Sequence, residues 1–584
     1  MKRWYKYIKP WLPAFILGPL CMLAEVVGEV VMPKVMSLIV TAGTLGTLTA
    51  GQTLRYTGLM VLTAVLMGLG GVGGAWFGGR AAVGFAADLR EDIYNRIQGF
   101  SFANTDRFSA GSLVTRLTND VTQLQNFINM ILRMGLRAPG MMAGALIMAI
   151  AIRPSLTAVF LVSIPVLFVS VFGLIKTGFP RFSVMQEKLD RLNSAVQENI
   201  TNVRVVKSFV REDHEKQKFA RANRNLKEAC ISAVGVMIIM PAVMTVVMNL
   251  TIIAVLWMGG AIVLREQGTI GGMQVGDLSA FVTYVTQILS SLMFVTFLMM
   301  TSSRAFASAK RIAEVLDEVP DISDEGAQFP EKKIEKGEIE FRGVCFRYYK
   351  DHPEEVLENI DLRIPAGSTV GIIGSTGCGK TTLVSLIPRL YDCDKGEVLV
   401  DGVNVKDYSL YNLRDGIGMV LQKSILFTGS VEDNLRFGAG DATRENMEKA
   451  ARTAQAHGFI ENMPAGYESP IEQGGANVSG GQKQRLCIAR ALLTHPRILI
   501  MDDSVSAVDT ATEAALRQAL ETELKDTTAI IIAQRINSVM GADIIVVMDD
   551  GRITGAGTHE ELLETNGEYR EIYYSQTGRE EVSA

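Results

Sequence analysis

Six stretches ahead of residue 305 are apolar for long enough to cross a lipid bilayer, at about 11–39, 56–79, 129–152, 155–178, 231–264 and 278–303. A spanning helix needs roughly 20 predominantly apolar residues. Tyr56–Gly79, Ser155–Ile175, Ala233–Leu264 and Leu278–Ser303 contain no Asp, Glu, Lys or Arg, whereas a helix in a soluble core keeps a polar face. The third stretch is the weakest, because Arg133 and Arg137 interrupt it. Such residues are tolerated by snorkelling or in a wet interior. With 48% hydrophobic residues over 584 positions, the chain is too long for one ordinary domain and too apolar to be wholly soluble. The expected architecture is multi-domain: an all-α transmembrane domain of six spanning helices over 1–305, a linker over 306–335, and an α/β P-loop nucleotide-binding domain over 336–584.

Loop charge gives the orientation. The connections near 40–54, 153–154 and 265–277 are short and poor in Lys and Arg, while the start MKRWYKYIK and the stretches 80–126 and 176–229 are rich in them. By the positive-inside bias, both termini and the two long loops are cytoplasmic in a multi-pass protein of the cell membrane. Trp4, Tyr5 and Tyr7 among lysines suit a short interfacial helix; a cleaved signal peptide fits the five later spans poorly. The formal net charge of −5, with no long basic block, argues against a nucleic-acid partner. Six scattered cysteines lack metal-ligand or disulfide spacing, so free thiols are expected.

Inside the first span, Glu25 and Glu29 share one helix face. Ionisable residues at membrane depth usually face a cavity or a partner, so the pair is a candidate contact for a cationic or polar solute. The alternatives are wetting at the outer surface or pairing with a basic residue. The glycines of GLGGVGGAWFGG (68–79) read as close helix packing.

The second half carries sharper signals. GIIGSTGCGKTT (371–382) contains G-x-x-x-x-G-K-[ST] after an apolar strand and at the start of a helix, the context a phosphate loop requires. Gly374, Ser375, Thr376, Gly377, Cys378 and Gly379 form the loop that cradles phosphates; Lys380 reaches the β/γ oxygens, Thr381 offers its hydroxyl to Mg²⁺, and Thr382 follows. RILIMDD (497–503) is a buried-type parallel strand ending in two acids, with Asp502 placed to hold the Mg²⁺ shell.

Between them lies NVSGGQKQR (477–485). Phosphate loop, SGGQ, acid-ended strand and six spans in this order resemble an ATP-binding cassette (ABC) transporter of the exporter type, a half-transporter with fused membrane and nucleotide-binding parts. The resemblance covers nearly the whole chain. It implies ATP and Mg²⁺ as cofactors, Tyr348 stacking on adenine, Gln422 reaching Mg²⁺, Glu472 joining the site to the membrane part, coupling segments near 112–121 and 199–208, and Asp509 facing the opposite subunit. It also implies that Ser479, Gly480, Gly481 and Gln482 serve an ATP held by a second chain, so that this one dimerises.

Two positions depart from the family pattern. The acid after Asp502 is normally Glu, which polarises the attacking water; Asp503 is one methylene shorter. In IIIAQRINSV (530–539), Gln534 replaces the switch histidine, and an amide cannot become a cation near neutral pH. General-base geometry tolerates heavy-atom contacts of roughly 2.6–3.2 Å, so slow hydrolysis is expected at a catalytic set of Asp503, Gln534 and Gln422. The resemblance is therefore to the degenerate-site half of heterodimeric bacterial multidrug exporters, whose partner carries the Glu and the His. The expected activity is ATP-driven export of amphipathic, hydrophobic or cationic small molecules by alternating access. A homodimer with two slow sites, an ATP-gated regulatory subunit and a dedicated lipid or peptide exporter stand as alternatives.

Overall fold

The computed structural model describes residues 2–266, 272–350, 353–503 and 510–577. The chain forms two compact units: the first takes residues up to Ile97 and Gly111–Asp317, the second Gln98–Ala110 and the chain from Glu318.

The first unit is helical. Its main helices are Leu12–Thr44, Ala50–Gln98, Val121–Met134, Arg137–Ile152, Phe160–Thr201, Glu212–Glu266 and Val275–Asp317. Among the described residues, six helical runs are long and apolar enough to cross a membrane; the first five expected spans each lie in one of them, and the sixth, 278–303, overlaps the run Val275–Val295 and continues along the Val275–Asp317 helix. The helices outrun the spans. At 1.5 Å per residue, the 55 residues of Glu212–Glu266 reach on the order of 80 Å, against roughly 30 Å of hydrocarbon. The long loops of the sequence are thus helix extensions, and helix continues to Asp317 through the first part of the 306–335 stretch.

The glycine-rich segment packs closely, as its composition indicates. Gly70, Gly74 and Gly78 are buried on one face of the Ala50–Gln98 helix, and a Cβ at Gly70 would stand 2.9 Å from Cys21 O. The amino-terminal helix Lys2–Ile8 is tied into the first unit. Tyr7 is buried and donates its hydroxyl to Asp92 of the second helix, beside Lys6, while Trp11 Nε1 donates to Asp88 at 2.9 Å.

The second unit is an α/β fold. Its six-stranded sheet runs, in spatial order, Arg552–Gly557, Ile544–Asp549, Thr369–Gly374, Thr528–Ile532, Ile498–Asp502, Ile417–Val420, parallel except at the first pair. Ile498–Asp502 is buried at every residue, which explains its unbroken apolar run. A four-stranded antiparallel sheet, ordered Leu357–Ile364, Ile339–Phe346, Lys395–Val400, Val403–Asn404, closes over one side of the core.

Gln98–Ala110 packs with this second unit, ahead of the 112–121 segment expected to couple. Its helix Phe102–Arg107 opens with a capping box between Ser101 and Asn104. Buried Asn104 donates to Glu318 at 2.9 Å and to Val319 O at 3.2 Å. Tyr391 donates to Asp106 at 2.7 Å, and its ring meets Phe102 edge-on. Burial, then the Asp106 charge, pushes the Tyr391 hydroxyl above its ordinary range, so it stays a donor. By contrast, buried Asp120 commits the 112–121 segment to the first unit, accepting from Ser308 and Arg311 of the last long helix. Tyr391→Phe should keep the fold yet speed amide hydrogen exchange over 98–110 roughly 2- to 10-fold, the loss of one net hydrogen bond; unchanged exchange would show that the apolar contact alone holds the segment.

Candidate functional site

Three neighbouring parallel strands end side by side, and each delivers part of a site. Thr369–Gly374 leads into the phosphate loop, Thr528–Ile532 leads to Gln534, and Ile498–Asp502 ends on the two acids. Ligands of parallel sheets bind at such carboxyl ends.

The loop requires its glycines at two places. A Cβ on Gly374 would fall 2.0 Å from Met548 O, and Gly379, at φ 99°, caps the Lys380–Ser385 helix with the backbone of Val356 at 3.0 Å from any Cβ. Ser375, Thr376 and Gly377 are exposed, while Cys378 is buried beneath them. Lys380 donates to Gly374 O at 2.9 Å and Ser375 O at 2.6 Å, which holds its ammonium over the loop. A glycine-bearing loop, a cation and a helix start thus lie together, the arrangement that takes up phosphate.

Thr381 donates to Asp502 Oδ1 at 3.1 Å. Asp502 is buried, and its Oδ2 has no partner among the described residues. A hydroxyl beside a carboxylate with one free buried oxygen fits a hard divalent cation such as Mg²⁺. Burial, opposed by Thr381 and reinforced by Asp503, pushes the Asp502 carboxyl above the ordinary carboxylate range. Burial does the same to Asp503.

Asp503 follows with φ 45°, a left-handed conformation that Asp adopts more readily than most residues. Gln534 Nε2 donates to Asp503 Oδ2 at 2.8 Å, and Gln422 also bonds this carboxylate. The Gln534 turn is pinned by Gln576, which accepts from Ile536 N and donates to Gln534 O, both at 2.8 Å. The structure therefore brings Gln422, Asp502, Asp503 and Gln534 to one place.

Tyr348 stands at the rim, exposed, with its hydroxyl 2.9 Å from Thr382 Oγ1. Phe346 and Tyr391 meet its ring edge-on at 4.9 and 5.2 Å. Sequence reading missed Tyr391, which touches both Tyr348 and the Phe102–Arg107 segment; SFAN (101–104), a capping-box pattern, was the available signal.

SGGQ has a local role that its spacing encodes. Ser479 Oγ accepts from Gln482 N at 3.3 Å, and Gln482 Oε1 accepts from Ser479 N at 2.9 Å. This capping box opens the 13-residue helix Gly480–Leu492 with Ser479 and Gly480 exposed, so a positive helix end faces outward. Asp509 lies outside the described residues.

In the first unit, Glu25 and Glu29 both pair with Arg137. Pairing with a basic residue is thus their local arrangement, and Arg137 interrupts its span for that reason; Arg133 is exposed.

Residues 15–293 match the ABC transporter transmembrane region family, and residues 357–506 the ABC transporter family. The ABC transporter ATP-binding protein YfiB of Bacillus subtilis (strain 168) is 37% identical over 584 residues, 99% of each chain. The chain belongs to the ABC transporter family. Among other relatives of this ABC transporter, the ATP-dependent lipid A-core flippase of Syntrophus aciditrophicus (strain SB) is 35% identical over 85% of this chain and 81% of its own. A bacterial Atm1-family ABC exporter with ATP bound has the same fold, with a TM-score of 0.74 over 99% of both chains at 24% identity. This is accordingly a multi-pass membrane protein with a fused ATP-binding domain, of a family that works as dimers.

Because the folded Asp502 carboxyl titrates above its unfolded value, its ionised form opposes folding, and that destabilisation is complete once pH exceeds the folded pKa. Asp502→Asn should therefore raise the apo melting temperature at neutral pH, by about 2–4 °C per kcal/mol relieved, while removing any Mg²⁺-dependent gain in nucleotide binding. A lower apo melting temperature would show that the carboxylate is a structural member of the fold.

Proposed function

We propose that this chain is the degenerate-ATP-site half of a heterodimeric exporter that moves amphipathic small molecules across the cytoplasmic membrane by alternating access. The hydrogen bond between Gln534 and Asp503 carries the reading. At the two positions where the family places a general base and a switch histidine, this chain has a short acid and an amide tied to each other. A carboxylate already accepting from Gln534 and Gln422 is poorly placed to take a proton from water.

The residues matching the family's nucleotide-holding positions are all present: Tyr348 for adenine, the phosphate loop and Lys380 for phosphates, and Thr381, Gln422 and Asp502 for Mg²⁺. ATP binds here and turns over slowly. The exposed start of the Gly480–Leu492 helix serves an ATP on the partner, a second half-transporter with Glu and His at the two altered positions. Binding drives the cycle through the greater affinity of closed nucleotide domains for ATP. Gln98–Ala110 leads by unbroken chain into membrane helices on either side, which suits it to transmit that closure. Val203–Ser208 exposes Val203 and Val205 beside Phe209 and Val210, an apolar tip available to a partner chain. Basic loops put the nucleotide unit on the cytoplasmic side.

The identity to a lipid A-core flippase favours lipid export as the second reading; ATP-dependent flipping of a fluorescent lipid in proteoliposomes, with no transport of soluble amphiphiles, would select it. The catalytic reading is tested by Asp503→Glu with Gln534→His. With the partner's phosphate-loop lysine substituted, this double variant should raise turnover at this chain's own site on the order of 10- to 100-fold. Unchanged turnover would mean that the two residues do not limit hydrolysis.

A further inference from the structure

Pro33 lies inside the Leu12–Thr44 helix, and a proline there offers no N–H to the carbonyl four residues earlier. That carbonyl belongs to Glu29. Gln287 of the Val275–Asp317 helix supplies the missing donor, its Nε2 reaching Glu29 O at 3.0 Å. Tyr284, one turn before, donates to Val30 O at 2.8 Å. The proline thereby decides which way the Gln287 amide faces, since only its NH₂ group can donate. Gln287 Oε1 is left buried with no partner among the described residues, and so is Glu29 Oε2.

Both residues line a cavity of about 400 Å³ in the first unit. Thr283, Thr286 and Ser291 share its wall, and each donates its hydroxyl back to its own helix, to Ser279 O, Val282 O and Gln287 O. What these groups offer a ligand is lone pairs. Apart from the Ser290 hydroxyl and Arg137, the remaining surface is soft and apolar, with Met32, Met67, Met134, Met141 and Phe294. Arg137, the cation on the wall, keeps Nε free but faces both Glu25 and Glu29, so two carboxylates stand against one guanidinium.

We propose that this cavity binds amphipathic monocations, with an ammonium donating to Glu29 Oε2 and Gln287 Oε1 and an apolar body lying on the methionines and Phe294. The inference rests on the exporter reading above and names the class of solute that its membrane part takes. Buried acceptors without donors are costly. An ammonium satisfies two of them with charge-assisted bonds and neutralises the surplus charge. Methionine side chains adapt to bodies of different shape, and the Phe294 face attracts a cation. An anion would meet Arg137 Nε only by approaching both carboxylates.

The test is fluorescence titration of the full-length protein, purified with whatever partner it carries and placed in lipid nanodiscs, with dansylcadaverine, its N-acetyl derivative and dansyl-aminohexanoate. These probes share a dansyl body and differ in carrying a cation, no charge or an anion. The cation should bind at least about tenfold more tightly than the neutral form, the value of one charge-assisted hydrogen bond. Glu29→Gln should erase that preference, and Gln287→Glu, which adds a further carboxylate, should widen it. If Glu29→Gln does not elute as a folded assembly, the comparison of cation and neutral probes on the unsubstituted protein decides alone. Equal binding of the cation and neutral probes, or tighter binding of the carboxylate with loss in Arg137→Gln, would overturn the proposal. ATP-driven uptake into inside-out vesicles separates the two readings. A cation bound through Glu29 but not moved upholds the site and contradicts export of this class. ATP-driven transport of another solute, with no cation preference in binding, upholds export and overturns the site.

Discussion

Thr381 and Asp502 are 121 positions apart in sequence, and the hydrogen bond between them holds the candidate nucleotide site together. It joins the first turn after the phosphate loop to the end of a strand buried at every residue, with Thr528–Ile532 between. That intervening strand sets Gln534 beside Asp503. The carboxylate cluster is held against its own desolvation: burial pushes the Asp502 and Asp503 carboxyls above their ordinary range. Such opposition is common where a fold stores a ligand-ready charge.

The membrane part depends on a comparable defect. Pro33 opens the backbone ladder of one helix, and Gln287 and Tyr284 of another close it. The repair ties two helices together at the level of Glu29 and leaves acceptors facing a cavity. Close packing at Gly70 then seats the second helix against the first. In both units, buried polar atoms are left without a partner among the described residues: Asp502 Oδ2 in one, Glu29 Oε2 and Gln287 Oε1 in the other.

Much of this was legible in the sequence, because the signals are local. Apolar length gives the six spans, and the strand–loop–helix order around Gly374–Thr381 gives the phosphate loop. SGGQ was readable as a family signature, while its capping-box geometry needed the structure. Other features depend on pairing between distant residues. That Arg137 answers Glu25 and Glu29 follows from packing of two helices more than 100 positions apart. The polar stripe Thr283, Thr286, Gln287, Ser290, Ser291 has helical spacing and could have marked the cavity wall. The segment 112–121 carries a helical pattern that does not reveal its partner, and buried Asp120 binds it to the last long helix. The segment that does join the nucleotide unit is short and polar, with Asp106 and Phe102 meeting Tyr391.

In the proposed heterodimer, this chain carries an ATP site that holds nucleotide and hydrolyses it slowly, and a different chain completes the machine. The most direct measurement is the intact mass of the detergent-solubilised complex, purified from its native cell through a tag on this chain. A heterodimer gives a one-to-one complex with a second half-transporter bearing Glu and His at the two altered positions. A dimer of this chain alone would contradict it, because Asp503 and Gln534 would then have to sustain the whole cycle.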